Sequence, residues 1–298
     1  MPEGTEMTTI SKSRIVLDTT VINHLENEGQ ASEPLMRGLE LGYDVRLPAM
    51  VVDEILATKT AERRDALLCR FARILVNGKC VWPPNEVIRL HIRAYHENQR
   101  GYDWNRVYVR AREYEQAVSS RNLPDDLFDE QRRAQFHLQN EFEQVWTSLR
   151  SKLDEIIERD PTQRLNSFEE AVEASTKPGG VLWGFGIGLF NKALEGQVVP
   201  DMTDEQIQSF IDACPPFRAV CYSFVKAWFN FSLSPAHDTS PKAGRNDLMM
   251  SAYLPYCDKF LTGDYAQCKD LQDIAHAAGL QCSVISLQQF SDSFSLGR

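Results

Sequence analysis

Arg14-Ile15-Val16-Leu17-Asp18-Thr19-Thr20-Val21-Ile22-Asn23-His24-Leu25 decides the architecture. Its start is a short β-branched run. Beyond Asp18 the apolar residues Val21, Ile22 and Leu25 recur at helical spacing, so a strand feeds a helix within a dozen residues. The form repeats: Val45-Arg46-Leu47-Pro48-Ala49 predicts a second strand, leading into Val51-Val52-Asp53-Glu54-Ile55-Leu56 and a helix running to about Leu75. Lys79-Cys80-Val81-Trp82 predicts a third strand, stopped by Pro83-Pro84, where proline ends regular structure. Strands alternating with helices define an α/β fold with a parallel sheet.

The alternation lapses after Glu86 and resumes near the end of the chain. There Asn246-Asp247 opens a helix, residues 258–262 form a strand, Leu271 to Ala278 lies in a helix, and residues 282–287 make a fifth strand. Residues 1–85 and 236–298 therefore make the α/β domain, for which the order 3-2-1-4-5 is supposed, and residues 86–235 an inserted helical subdomain packed beside the sheet or serving as a dimer surface. Within the insert, Leu138, Phe142, Val145, Trp146, Leu149, Leu153 and Ile156 form one helical stripe. Ser167 with Glu170, and Thr203 with Gln206, have capping-box spacing, and Pro216 suits the first turn of a helix carrying Val220, Phe224 and Trp228.

At 43% hydrophobic and 25% charged, the 298 residues fall in the globular range, which excludes disordered and collagen-like classes. The net charge of −10 argues against a wholly electrostatic nucleic-acid binder, so any such role needs a local basic patch. No apolar run approaches the roughly eighteen residues of a membrane span, and the polar residues 1–13 read as no signal peptide. Seven cysteines without a Cys-x-x-Cys pair fit neither a disulfide framework nor a zinc site, and read as reduced thiols in a cytoplasm.

Four carboxylates occupy equivalent places: Asp18 after strand one, Glu54 in the helix after strand two, Asp247 opening the returning helix, and Asp264 after strand four. In a 3-2-1-4-5 sheet, strands one and four are neighbours whose connections part, so Asp18 and Asp264 flank the switch-point crevice. Clustered carboxylates repel unless a cation balances them, and oxygen donors favour Mg²⁺ or Mn²⁺. The alternative is that each acid is a helix cap or first-turn residue set on the helix dipole.

Ile15-Val16-Leu17-Asp18-Thr19-Thr20-Val21-Ile22, Leu47-Pro48-Ala49 with Glu54-Ile55-Leu56, Asn246-Asp247-Leu248-Met249-Met250-Ser251-Ala252 and Phe260-Leu261-Thr262-Gly263-Asp264-Tyr265 resemble, in order and type, the PIN-domain nucleases. The resemblance covers about half the chain. It implies a metal-dependent ribonuclease in which Asp18 and Asp264 help hold Mg²⁺ or Mn²⁺, Glu54 and Asp247 complete its surroundings, and a metal-activated water attacks a phosphodiester in line. Asp53 leaves the second acid open by one residue. The long insert departs from typical toxin-like members, so the RNA target and any antitoxin or other protein inhibitor stay open. Thr19 and Thr262 could orient a carboxylate or a phosphate, and Asn246 reads as the cap of the Asp247 helix.

Lys59, Arg63 and Arg70, in a stretch of net charge +3 between residues 57 and 75, are candidate RNA contacts near the acids. Between residues 89 and 121, seven arginines interleave with Tyr95, Tyr102, Trp104, Tyr108 and Tyr114. That pattern suits single-stranded nucleic acid, or else a helix whose aromatics face the core. Gly184, Gly186 and Gly188 lack dinucleotide-binding spacing and read as a turn or a close helix contact. Two other classes compete: a haloacid-dehalogenase-like phosphatase, which would need a second aspartate where Thr20 stands, and a non-catalytic nucleic-acid or protein-binding module on the same scaffold.

Overall fold

A computed structural model describes residues 12–120, 165–193, 202–233 and 245–295, with individual helical positions between 129 and 159. Five strands, β1 (Ser13–Leu17), β2 (Tyr43–Pro48), β3 (Lys79–Val81), β4 (Lys259–Thr262) and β5 (Ser283–Ser286), form one sheet in the order β3-β2-β1-β4-β5, every pair parallel. The expected α/β class and strand order are both present. Ile15 pairs with Val45 on one side and Lys259 on the other, so β1 is central, and Ile15, Val16 and Leu17 are fully buried. Apolar residues on both faces are what a parallel sheet covered by helices demands.

Boundaries differ locally. The helix after β2 stops at Leu56, and a separate helix, Ala61–Leu75, begins after Thr60, an extended N-cap. Cys282 and Leu287 fall outside β5; Leu287 opens the helix Leu287–Ser295.

The helix Pro84–Glu97 buries Val87, Ile88, His91, Ile92 and Tyr95. The chain then returns to the free edge of β3, where Val81 and Arg110 form an antiparallel bridge, Trp82 N donates to Val109 O at 2.9 Å and Ala111 N to Cys80 O at 2.9 Å. An exposed edge is thereby partly covered. Helices Arg112–Ser120, Phe168–Thr176, Val181–Ala193, Asp204–Ala213 and Pro215–Leu233 follow. Their apolar faces join those of the sheet in one continuous core, in which Phe210 touches the rings of Tyr95, Phe190 and Phe217.

Local signals in this region behave as physics requires. Thr203 and Gln206 form a reciprocal capping box, and Ser167 accepts from Glu170 N. At Gly186 a Cβ would lie 2.3 Å from Ile211 Cδ1, so the glycine permits a close helix contact. Tyr95, Tyr102, Trp104 and Tyr114 pack against the core, leaving Tyr108 exposed. The stripe from Leu138 to Ile156 lies outside the described residues. Among the described residues no helix is long and apolar enough to cross a membrane.

Candidate active site

Asp18 directly follows β1 and caps the helix Thr19–Asn27; Asp264 lies two residues past β4 and caps the helix Tyr265–Ala277. Since β1 and β4 are hydrogen-bonded neighbours, with Asp18 N donating to Leu261 O at 3.1 Å, both acids sit at one end of adjacent central strands. The strand order reverses there, which makes this end of β1 and β4 the topological switch point, the place where crevices form in open α/β sheets. The capping role and the clustering are thus both true of the same two residues.

Threonine hydroxyls and one glutamine join the acids. Thr20 Oγ1 donates to Asp18 Oδ2 at 2.6 Å and accepts from Gly263 N at 2.7 Å. Thr262 Oγ1 accepts from Asp264 N at 3.0 Å and lies 3.1 Å from Asp18 Oδ2 and 2.6 Å from Gln267 Oε1. A hydroxyl has one proton to give, so with Thr20 already serving Asp18, the shorter contact makes Gln267 its acceptor. Gln267 in turn donates through Nε2 to Asp247 Oδ1 at 3.1 Å, and its backbone N to Asp264 Oδ1 at 3.0 Å. Gly263 lets Thr20 come close: a Cβ there would meet Thr20 Cβ and Oγ1 at 3.2 Å, so Thr20 would have to shift by a few tenths of an ångström.

Glu54 is held at both oxygens, by Thr19 Oγ1 on Oε2 and by Asn246 Nδ2 on Oε1 at 2.7 Å. Burial pushes its carboxyl upward, the two donors oppose that, and the charge of Asp18 adds to it. The neighbouring Asp53 is turned to Tyr114, and burial raises it to about 6. Glu54 rather than Asp53 therefore belongs to the crevice. Asn246 lies inside the helix Arg245–Met249 and binds Glu54, a correction to its reading as a cap; the tertiary partner claims the amide.

Among the described residues none of Asp18, Glu54 and Asp264 makes an ion pair, and no three His, Cys, Asp or Glu side chains are arranged to hold one metal ion. The chemistry of the donors nevertheless fits Mg²⁺ or Mn²⁺. They are all carboxylate oxygens, those of Asp18, Glu54 and Asp264 have no ion pair among the described residues, and Mg²⁺ is commonly held by one or two carboxylates with water filling the remaining positions. The described hydrogen bonds of Asp18 all fall on Oδ2, and that of Asp264 on Oδ1.

The other candidates separate. Thr19 serves Glu54, and Thr262 is fully buried, so both hydroxyls are spent on positioning side chains. Lys59 is exposed in the turn before the helix Ala61–Leu75, and Arg63 donates to Asn23 Oδ1 at 3.1 Å. Arg70 pairs with Glu26 at 3.3 Å and Glu33 at 3.6 Å, so its charge is matched within the protein. Thr20 and Gln267 escaped the sequence reading as site residues, and Asn246 entered it only as a cap. Gln267 had a legible signal, since Asp264 and Gln267 have the spacing of an N-cap and its third helical residue. Neither a family model, nor a curated protein, nor a solved structure matches the chain.

Proposed function

We propose that the chain is a divalent-metal-dependent endoribonuclease of PIN-like type, cutting RNA phosphodiester bonds in the crevice between β1 and β4. The observation that carries the reading is the meeting of acids from distant parts of the sequence at one strand-end crevice, positioned by hydroxyl and amide donors and unbalanced by any described ion pair of Asp18, Glu54 or Asp264. Asp18 and Asp264 would hold the ion, with Glu54 and Asp247 beside them. When bound, the metal supplies an activated water and a counter-charge for the leaving oxygen. Thr20 holds Asp18, Thr19 and Asn246 hold Glu54, and Thr262 orients Gln267, which ties Asp247 to that frame. Lys59 and Arg63 are the bases we assign to single-stranded RNA.

We take the compartment to be the cytoplasm, where thiols stay reduced; all seven cysteines are free. A protein inhibitor over the crevice and a second copy of the chain are partners of the same proposal.

Titrating Mg²⁺ and Mn²⁺ against the purified chain with a single-stranded RNA and, separately, a small phosphomonoester tests it. Metal-dependent RNA cleavage that disappears in Asp18→Asn is the expected result. Hydrolysis of the phosphomonoester alone would make the chain a phosphatase, and inertness toward both a binding module.

A further inference from the structure

At the opposite end of the sheet from the acids, Cys257 and Cys282 precede the first residues of β4 and β5 by one and zero intervening positions. Their Sγ atoms lie 3.4 Å apart. The backbone pins both: Asp258 N donates to Arg14 O at 2.9 Å and Ser283 N to Asp258 O at 3.0 Å. Cys257 is buried beneath its contacts with the carbonyls of Tyr253 and Leu254, whereas Cys282 is partly exposed. A buried thiol touching a more accessible one has the layout of a resolving and an attacking cysteine. Cys69 is exposed, while Cys80, Cys214, Cys221 and Cys268 are buried.

We infer that Cys257 and Cys282 are an oxidisable dithiol that closes to a disulfide on exposure to a hydroperoxide. The Cys282 thiolate attacks the O–O bond of hydrogen peroxide, giving a sulfenic acid and, with a proton, one water. Cys257 then gives up its proton and its sulfur attacks the Cys282 sulfur, forming the S–S bond and expelling hydroxide, which takes that proton as the second water. Two thiols lose two electrons and the peroxide is reduced. The bond closes a loop from residue 257 to residue 282 that contains β4, Asp264 and the helix Tyr265–Ala277. Cross-linking the loop removes freedom from the unfolded chain, so the oxidised form resists heat better.

The test is to treat the purified full chain with hydrogen peroxide, alkylate it after denaturation, and map the cysteines by mass spectrometry without reduction. A peptide linking Cys257 to Cys282, reversed by dithiothreitol and accompanied by a Tm rise of roughly 5 °C, is expected. In Cys257→Ser the Cys282 sulfenic acid should persist, and Cys69→Ser should change nothing. Two alkylated thiols at 257 and 282 after peroxide, or Cys282 joined to a different cysteine, would overturn the inference.

Discussion

Lys226, on the helix Pro215–Leu233, places its Nζ 2.5 Å from Asp273 Oδ2 on the helix that Asp264 caps. Asp270 lies at 3.6 Å, and the ammonium stands over the ring of Phe168 at 4.6 Å. With only 6% of its side chain exposed, Lys226 fastens two of the inserted helices to the element that carries a site acid.

Lys226→Met should therefore destabilise the protein by on the order of 2–3 kcal/mol, because Asp270, already raised by burial, loses the cation that lowers it. Urea denaturation at pH 7 measures this, and an unchanged midpoint would show that the ion pair holds nothing together.

Asp18→Asn and Asp264→Asn should each abolish metal-dependent RNA cleavage and leave stability unchanged to within about 1 kcal/mol, since asparagine still caps a helix and no longer repels its neighbours. Asn246→Ala should lower kcat by roughly 10- to 100-fold with little effect on the KM for RNA, because it frees one oxygen of Glu54 without touching the substrate. Steady-state kinetics on one RNA separate the two kinds of variant.

Tyr265 is 80% exposed beside Asp264, where an aromatic face is open to a nucleobase. Tyr265→Ala should raise the KM for single-stranded RNA by roughly tenfold and Tyr265→Phe should not, as stacking needs the ring and not the hydroxyl. Equal KM values for all three proteins would remove Tyr265 from the substrate path.

Two buried groups pull stability in opposite directions between pH 4 and 6.5. Asp53, raised to about 6, binds its proton more tightly folded than unfolded, so stability is lost as pH rises from about 4 to about 6. His91, held by the hydroxyls of Tyr102 and Tyr256 and lowered by burial to about 4, resists protonation when folded, so stability is lost as pH falls from about 6.5 to about 4. Asp53→Asn should consequently stabilise the protein by on the order of 2 kcal/mol at pH 8 and by almost nothing at pH 4. Thermal melts of both proteins across that range give the difference directly.

Strand one and its acid were legible because each depends on a few adjacent residues, a β-branched run, an acid, then helical spacing, whereas the order of the sheet, supposed beforehand, rests on pairings between distant strands. Asp264 was legible for the same reason, following Phe260-Leu261-Thr262-Gly263. What tied the acids together was not. Thr20 looks like any turn threonine, and its partners Thr262 and Gly263 lie over 240 positions away. Asn246 resembled a cap because nothing local reveals that Glu54 waits beside it. Lys226, amid the apolar residues of its helix, gives no sign that it is buried, and the 25-residue spacing of Cys257 and Cys282 carries no motif. The break between Leu56 and Ala61 was missed because the apolar pattern resumes beyond it without changing period.

The pairing of β1 with β4 also sets an order in time. Leu17 is made early, yet its partner Leu261 emerges more than two hundred residues later, an interval of roughly ten seconds or longer at ordinary rates of synthesis. Until then the strand that becomes the centre of the sheet is an edge, and Asp18 and Glu54 have no partners from the far side. A nascent chain therefore carries half of the acidic crevice and none of its closure, which delays any chemistry there until β4 has docked.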